Sequence, residues 1–225
     1  MPSPPPPIRA AIFDLDGTLI DSLGDIAASG NRMLEQLGYP THPAAAYAQF
    51  IGDGVTMLVE RALPPDAAAD STAAAEALDL YREIYSNAWA DLTIPYPGIP
   101  EALTTLATAG TELAVLSNKP HDLTVQCAAH FLPETSFGIV LGQRDGVPKK
   151  PDPAGAFEIA NKFGLQPNEC AYIGDSDVDM HTAKAAGMLA VGVEWGIRGA
   201  EELAANGAEV LVADATAMVS ALLKR

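Results

Sequence analysis

The most informative segment of this chain is IFDLDGTL, from Ile12 to Leu19. The residues that lead into it, 9–13, are mostly apolar and predict a buried strand. Asp14 and Asp16 follow two residues apart, so on a strand both side chains point to the same side. Gly17 then allows the backbone to turn. Two such carboxylates favour either a site for a hard cation or a nucleophile paired with a general acid; a solvated strand end is the ordinary alternative.

Composition and charge narrow the class of protein further. The chain has 225 residues, of which 48% are hydrophobic, which is typical of a globular domain with room for an insertion. A net charge of −16 disfavours nucleic acid and anionic membranes as partners. We expect no membrane span, because the sequence has no apolar run of about 20 residues, and no secretion signal, because the proline-rich first residues lack an apolar core. Its two cysteines, far apart, favour free thiols and a cytoplasmic location.

The order of the predicted elements indicates an α/β protein. From about residue 98 onward strands and helices alternate with short connections, which predicts a Rossmann-like parallel sheet with helices on both faces. Residues 21–92 carry helical patterns without a convincing strand. We therefore expect a disordered proline-rich tail at 1–7, an α/β core at 8–20 and 93–225, and an inserted helical subdomain at 21–92.

Polar residues follow three of the predicted strands. They are Asp14 with Asp16, Ser117 with Asn118, and Asp175. In an open parallel sheet, ligands bind outside the carboxyl ends of the strands, so we expect these side chains to meet at one edge. Lys150 lies in the loop before a further helix, from which it can reach the same edge. The sequence thus predicts one site built from distant segments.

Four segments together identify a family. FDLDGTL, SNKP, KPDP and GDSDVDM, which begin at residues 13, 117, 150 and 174, resemble in order the four motifs of the haloacid dehalogenase superfamily. The resemblance covers about residues 12–192. It implies that superfamily's fold, with the helical insertion as its cap. Within the insertion, FIGDG at 50–54 followed by LVERAL at 58–63 is similar to the phosphoglycolate phosphatases.

The resemblance implies roles for the acids. Asp14 becomes the nucleophile that forms an aspartyl-phosphate. Asp16 gives a proton to the leaving alkoxide and then takes one from the attacking water. Mg²⁺ is expected to bind Asp14, Asp175 and the main-chain carbonyl of Asp16. Asp179, one helical turn after Asp175, is expected to orient the hydrated metal or Lys150, although it also fits an ordinary first-turn acid.

The phosphate-binding residues are expected on the neighbouring segments. Lys150 neutralises the phosphoryl oxygens, while the Ser117 hydroxyl and the Asn118 backbone N–H donate hydrogen bonds to them, at the start of a helix. Ser117 also fits a plain helix N-cap, and Lys150 a solvated loop charge. Other polar and aromatic residues receive no role: Asp177 is assigned to solvent, and Trp89 and Trp195 to the core or its rim.

These residues predict a Mg²⁺-dependent phosphomonoester hydrolase whose partner is a small phosphorylated metabolite, with 2-phosphoglycolate as the preferred substrate. Phosphomutases and phosphatases of sugar phosphates, nucleotides or pyrophosphate are the alternatives within the superfamily, and a phospho-aspartate receiver domain is the alternative outside enzymes. The dehalogenase branch needs neither Asp16 nor a metal. In the insertion, the predicted substrate contacts are Gly52, Asp53, Gly54 and Arg61, where Arg61 would meet a substrate carboxylate. The oligomeric state is left open.

Overall fold

A computed structural model describes residues 6–224 of the chain. The chain divides into two compact units: one is formed by the residues up to Ile20 together with those from Pro95 onward, and the other by Asp21–Ile94. Of the tail expected at 1–7, residues 1–5 lie outside the described residues, and residues 6–7 belong to no helix or strand. No helix of the described residues is long and apolar enough to cross a membrane.

The strands belong to two sheets. In chain order they are β1 Ala10–Phe13, β2 Ile20–Asp21, β3 Ile94–Pro95, β4 Glu112–Pro120, β5 Ile139–Gln143, β6 Cys170–Gly174, β7 Leu189–Val193 and β8 Val210–Val212. Within residues 6–224, the first unit holds a six-stranded sheet in the order β5-β4-β1-β6-β7-β8, and all of its pairings are parallel. The short strands β2 and β3 pair where the chain passes between the units.

Helices flank this sheet. In the first unit they are α5 Ile99–Thr108, α6 His121–Phe131, α7 Ala154–Phe163, α8 Asp177–Ala186, α9 Ala200–Ala205 and α10 Ala215–Leu223. The helices of the other unit are α1 Leu23–Gln36, α2 Val55–Ala62, α3 Pro65–Ala69 and α4 Ser71–Ala88. Ala10 and Ile12 point to the same face of β1 and pack with Tyr172 of β6, Ile159 of α7 and Met180 of α8 in one buried cluster. The predicted α/β class with a parallel sheet is confirmed.

The second unit is helical, and hydrogen bonds to one buried acid join the beginning of this segment to its end. The Asp25 side chain on α1 is 2% exposed and accepts hydrogen bonds from the backbone N–H groups of Leu92 and Thr93 and, at 2.6 Å, from the Thr93 hydroxyl. This arrangement satisfies a charge that would otherwise be costly to bury. That the unit serves as a cap over a site stays a prediction.

One predicted helix is in fact two. The alanine-rich segment from residue 66 to 89 predicts a continuous helix, but α3 ends at Ala69 and α4 begins at Ser71. The reason is Asp70, which adopts an extended backbone and accepts hydrogen bonds from the N–H groups of Thr72 and Ala73. An aspartate in that position is a strong N-cap, so it starts a new helix where periodicity alone shows no break.

Candidate active site

The three strands that carry or directly precede these polar residues are neighbours at the centre of the sheet. β1 pairs with β4 on one side and with β6 on the other. Directly after β1, the Asp14 N–H donates to the Ile173 carbonyl of β6 at 2.9 Å. Because parallel strands finish at the same edge, Asp14, Asn118 and Asp175 are brought to one rim. The predicted meeting of these distant segments is therefore seen in the first unit.

A buried lysine connects two of the acids. Lys150 Nζ lies 2.9 Å from Asp14 Oδ1 and 2.7 Å from Asp179 Oδ1, and the three side chains are 3%, 13% and 0% exposed respectively. Burial lowers the pKa of Lys150, but the charges of Asp14 and Asp179 outweigh this and raise its pKa well above the ordinary value. Lys150 is therefore a permanent cation at the rim and is not the solvated loop charge that the sequence also allowed.

Asp179 serves two structural purposes at once. Its Oδ2 accepts hydrogen bonds from the Ser176 hydroxyl at 2.6 Å and the Ser176 N–H at 3.1 Å, which completes a capping box at the start of α8. Its Oδ1 faces Lys150. Asp179 is thus both an ordinary first-turn acid of α8 and the partner of Lys150. The hydrogen bonds of the helix cap fix the carboxylate that orients the lysine.

Asp175 completes an acidic cluster. One carboxylate oxygen from each of Asp14, Asp175 and Asp179 lies within 4.8 Å of the others. Burial, reinforced by the neighbouring carboxylates, raises the pKa of Asp175 to about 8, and burial together with Asp179 raises the pKa of Asp14 to about 6. The Asp175 side chain is 2% exposed. Three carboxylates that repel one another, two of them buried and one partly exposed, are a donor set that fits a hard divalent cation, which would offset their charge.

The side chain of Asn118 has a function that the sequence did not predict. It donates from Nδ2 to the Lys150 carbonyl at 3.0 Å, and its Oδ1 accepts from the Lys150 N–H at 2.9 Å. Both backbone groups of Lys150 are thereby held by one amide that is 7% exposed. The amide fixes the backbone from which the lysine side chain reaches the acids.

The alternative that Ser117 is a plain helix N-cap is wrong. β4 continues through Ser117 to Pro120, and α6 begins only at His121 with Pro120 as its N-cap. The Ser117 hydroxyl instead accepts a hydrogen bond from the Lys119 N–H at 3.2 Å. Strand pairing with β5, which resumes at Pro120 after an irregularity, carries the backbone past the point where the polar residues suggested a turn. Ser117 is 5% exposed at the rim.

Lys119 is the residue that sequence reasoning missed. Its ammonium lies 2.9 Å and 3.2 Å from the two carboxylate oxygens of Asp16, and the lysine and aspartate side chains are 4% and 12% exposed. The position of Lys119 in the sequence could have revealed this contact, because a lysine at the end of an apolar strand needs a buried partner. Lysine–aspartate contacts at the rim therefore involve Asp16 as well as Asp14 and Asp179.

The predicted substrate residues of the insertion lie together in the helical unit. Gly52 and Gly54 adopt positive φ angles of 123° and 88°, which favour glycine, and Gly54 is the N-cap of α2. Arg61 forms an ion pair with Asp53 and donates to the Phe50 carbonyl at 3.1 Å. Both charged side chains are 33% exposed, so the pair keeps access to solvent. Asp53 therefore neutralises Arg61 within this unit.

Comparison with known proteins identifies the same family throughout. Residues 11–193 match the family model described as haloacid dehalogenase-like hydrolase. A phosphoglycolate phosphatase of Pseudomonas putida is 34% identical over 94% of this chain and 78% of its own length. One from Neisseria meningitidis is 37% identical over 84% of this chain and 81% of its own length.

Solved structures agree with these relatives. The crystal structure of a predicted phosphoglycolate phosphatase from Haemophilus somnus superimposes with a TM-score of 0.88 at 27% identity and covers 95% of this chain and 97% of that one. A predicted phosphatase from Clostridium acetobutylicum shares the fold, with a TM-score of 0.86, and covers 98% of this chain and 100% of its own. The resemblance in the four sequence motifs is confirmed by these matches.

Proposed function

The chain belongs to the haloacid dehalogenase-like hydrolase family and is one of its phosphatases, and we propose that it hydrolyses 2-phosphoglycolate with Mg²⁺ as its metal. The observation that carries the activity is the buried cluster in which Lys150 joins Asp14 and Asp179 beside Asp175. The substrate is supported by the relatives of 34% and 37% identity, which are named phosphoglycolate phosphatases.

The first step is proposed to take place at Asp14. Its carboxylate attacks phosphorus, a bond forms between Asp14 and the phosphoryl group, and the bond from phosphorus to the glycolate oxygen breaks. The departing alkoxide takes a proton from the protonated Asp16 carboxyl. Lys150 stabilises the charge that builds up on the phosphoryl oxygens, and the Ser117 hydroxyl and the Asn118 N–H are proposed to donate hydrogen bonds to them.

The second step returns the enzyme to its starting state. Asp16, now a carboxylate, accepts a proton from water, the water oxygen attacks phosphorus, and the bond to Asp14 breaks to release inorganic phosphate. The Lys119 ammonium, 2.9 Å from Asp16 Oδ1, holds the Asp16 side chain in position for this proton transfer. Lys119 is thereby assigned the role of positioning Asp16.

The metal is proposed to lie among Asp14, Asp175 and the main-chain carbonyl of Asp16, with Asp179 orienting the arrangement. When bound there, Mg²⁺ supplies positive charge that neutralises the acids and attracts the phosphate group. The raised pKa values of Asp14 and Asp175 are what such a cation would reverse, which supports this donor set.

Recognition of the remainder of the substrate is proposed for the helical unit. 2-Phosphoglycolate carries a carboxylate, and Arg61, held by Asp53 and the Phe50 carbonyl, is the predicted cation for it. The glycines at 52 and 54 would shape the loop that presents it. The expected cytoplasmic location also stays a proposal, which the buried free thiols of Cys127 and Cys170 support.

Replacing Asp14 with Asn tests the activity directly. We expect phosphate release from 2-phosphoglycolate in the presence of Mg²⁺ to fall by at least about 10³-fold, because the amide cannot serve as the nucleophile. Asp177→Asn on α8 is the matched control and should keep near-normal rates, since Asp177 has no proposed role. Retained hydrolysis by Asp14→Asn would rule out the aspartyl-phosphate.

A panel of phosphate esters tests the substrate, and the proposed preference for 2-phosphoglycolate fails if another ester has a higher kcat/KM.

A further inference from the structure

The segment after β7 approaches the acidic cluster from a part of the chain to which the proposed mechanism gives no role. Residues 194–199, which we name the Trp195 loop, connect β7 to α9. The sequence assigned Trp195 only to the core or its rim. In the structure this loop contacts both Asp175 and the turn that follows Asp16.

Both oxygens of the Asp175 carboxylate are held by these contacts. Asp175 Oδ2 accepts a hydrogen bond from the Ile197 N–H at 2.8 Å. Its Oδ1 accepts from the Thr18 hydroxyl at 3.0 Å. Thr18 is fully buried, and its own carbonyl accepts from the Trp195 indole Nε1–H at 3.0 Å. The loop therefore holds one oxygen directly and the other through Thr18.

Gly196 lets the loop come this close. A Cβ atom at this position would lie 2.2 Å from the Asp175 Cβ and 2.5 Å from the Gly17 carbonyl oxygen, where no side chain fits. The backbone itself therefore packs against the acid. A side chain at residue 196 would displace Asp175, the Gly17 turn or the loop.

We propose that the Trp195 loop is a positioning element that fixes Asp175 for a divalent cation, an inference that rests on the metal site of the proposed function. A carboxylate with one donor on each oxygen cannot rotate freely, so its remaining lone pairs keep one direction. Outer hydrogen-bond partners of metal ligands commonly contribute 10- to 100-fold to metal affinity or activity. Trp195, Gly196 and Thr18 are assigned that positioning role.

Metal binding by the full-length protein tests this assignment. Free Mn²⁺ in equilibrium with the protein is counted by electron paramagnetic resonance for the wild type and for Trp195→Phe, which keeps an aromatic ring but lacks the indole N–H. We expect the dissociation constant for Mn²⁺ to rise roughly 3- to 10-fold in Trp195→Phe and roughly 10- to 100-fold in Gly196→Ala. Trp89→Phe, in the helical unit, is the matched control and should bind like the wild type.

A role limited to folding is separated by two further readouts. The hydrolysis rate of Trp195→Phe should return to within about twofold of the wild type when Mn²⁺ is saturating, because only metal affinity is weakened. Its melting temperature without metal should stay within a few degrees of the wild type. If Trp195→Phe binds Mn²⁺ with normal affinity but still hydrolyses the substrate slowly at saturating Mn²⁺, the positioning role is overturned. If Gly196→Ala does not fold, Trp195→Phe alone decides.

Failure of this inference is distinguishable from failure of the proposed function. Asp175→Asn should abolish Mn²⁺ binding if Asp175 is a ligand. Unchanged affinity in Trp195→Phe, beside lost affinity in Asp175→Asn, would overturn the role of the loop and leave the metal site in place. A wild type that binds no Mn²⁺ would overturn both.

Discussion

The two units of this protein each contain a lysine- or arginine-to-carboxylate contact, and the two contacts differ in burial. In the first unit, which holds the six-stranded sheet, the side chains of Lys150 and Asp179 are 3% and 0% exposed, and the lysine also contacts Asp14. In the helical unit, Arg61 and Asp53 are each 33% exposed. Opposite charges are therefore paired away from solvent in the Lys150–Asp179 contact and in partial contact with solvent in the Arg61–Asp53 contact.

This difference in burial changes what each pair contributes. Water screens the Arg61–Asp53 pair, so its net contribution to stability is expected to be about 0–1 kcal/mol. Removing one member of a buried pair leaves an uncompensated charge, which costs about 3–5 kcal/mol. A buried cluster is thus poorly suited to add stability but well suited to hold charged groups in fixed positions for chemistry.

Replacing Lys150 with Met should give the largest effect on stability. We expect the free energy of unfolding to fall by about 3–5 kcal/mol, because Asp14 and Asp179 then lose their buried cation. Urea unfolding measures the change. Lys149→Met is the matched control, since Lys149 is exposed, and it should change stability by less than about 0.5 kcal/mol. A double variant with Asp179→Asn should recover part of the loss, and equal losses at 149 and 150 would refute the comparison.

Metal removal should make the stability of the protein depend on pH. Because burial raises the pKa of Asp14 to about 6 and of Asp175 to about 8, the folded metal-free protein keeps protons that the unfolded chain loses above about pH 4. Stability therefore falls as pH rises through these values. We expect the melting temperature in a chelator to drop by roughly 5 °C or more between pH 5 and pH 8.

Saturating Mg²⁺ should reduce that drop, because a bound cation stabilises the charged carboxylates. Asp175→Asn, which removes the group with the higher pKa, should flatten the curve without metal. A melting temperature that rises from pH 5 to pH 8 in the chelator would show that these acids are not held in the buried state seen here.

Replacing Asn118 with Ala should have an intermediate effect. The variant leaves the buried N–H and carbonyl of Lys150 without their side-chain partner but leaves no charge unpaired, so we expect a loss of about 1–3 kcal/mol in urea unfolding. kcat should also fall, because Lys150 is less firmly placed. Asn87→Ala is the matched control: its side chain donates to the Glu83 carbonyl on an exposed helix and should matter little. Normal stability and normal kcat in Asn118→Ala would show that the Asn118 amide has no role in the site.

Replacing Arg61 with Met should have the smallest effect on stability, at most about 1 kcal/mol. If Arg61 meets the substrate carboxylate, KM for 2-phosphoglycolate should rise at least about tenfold while KM for p-nitrophenyl phosphate stays the same. Arg82→Met, which removes another exposed pair of the same unit, should change neither value. A parallel rise in both KM values would assign Arg61 to general structure and would leave substrate selection to other residues.

Much of the fold could be predicted because its signals are local. A buried strand directly before Asp14 and Asp16, followed later by alternating strands and helices, was enough to predict the parallel sheet that is observed. Two-residue strands such as β2 and β3 escaped prediction, since a pattern of period two needs more residues to appear. The break at Asp70 also escaped, because an N-cap inside an alanine-rich segment looks like any polar helix residue.

Local sequence was sufficient to show which chemical groups are available and on which strand ends they stand, because side-chain direction and element type follow from neighbouring residues. Which of these groups touch depends on the tertiary structure. Lys119 meets Asp16 across 103 positions, Asn118 holds Lys150 across 32, and Trp195 reaches Thr18 across 177. No local pattern encodes contacts at such separations, since they arise when parallel strands bring their ends to one edge and the buried charges there must find partners.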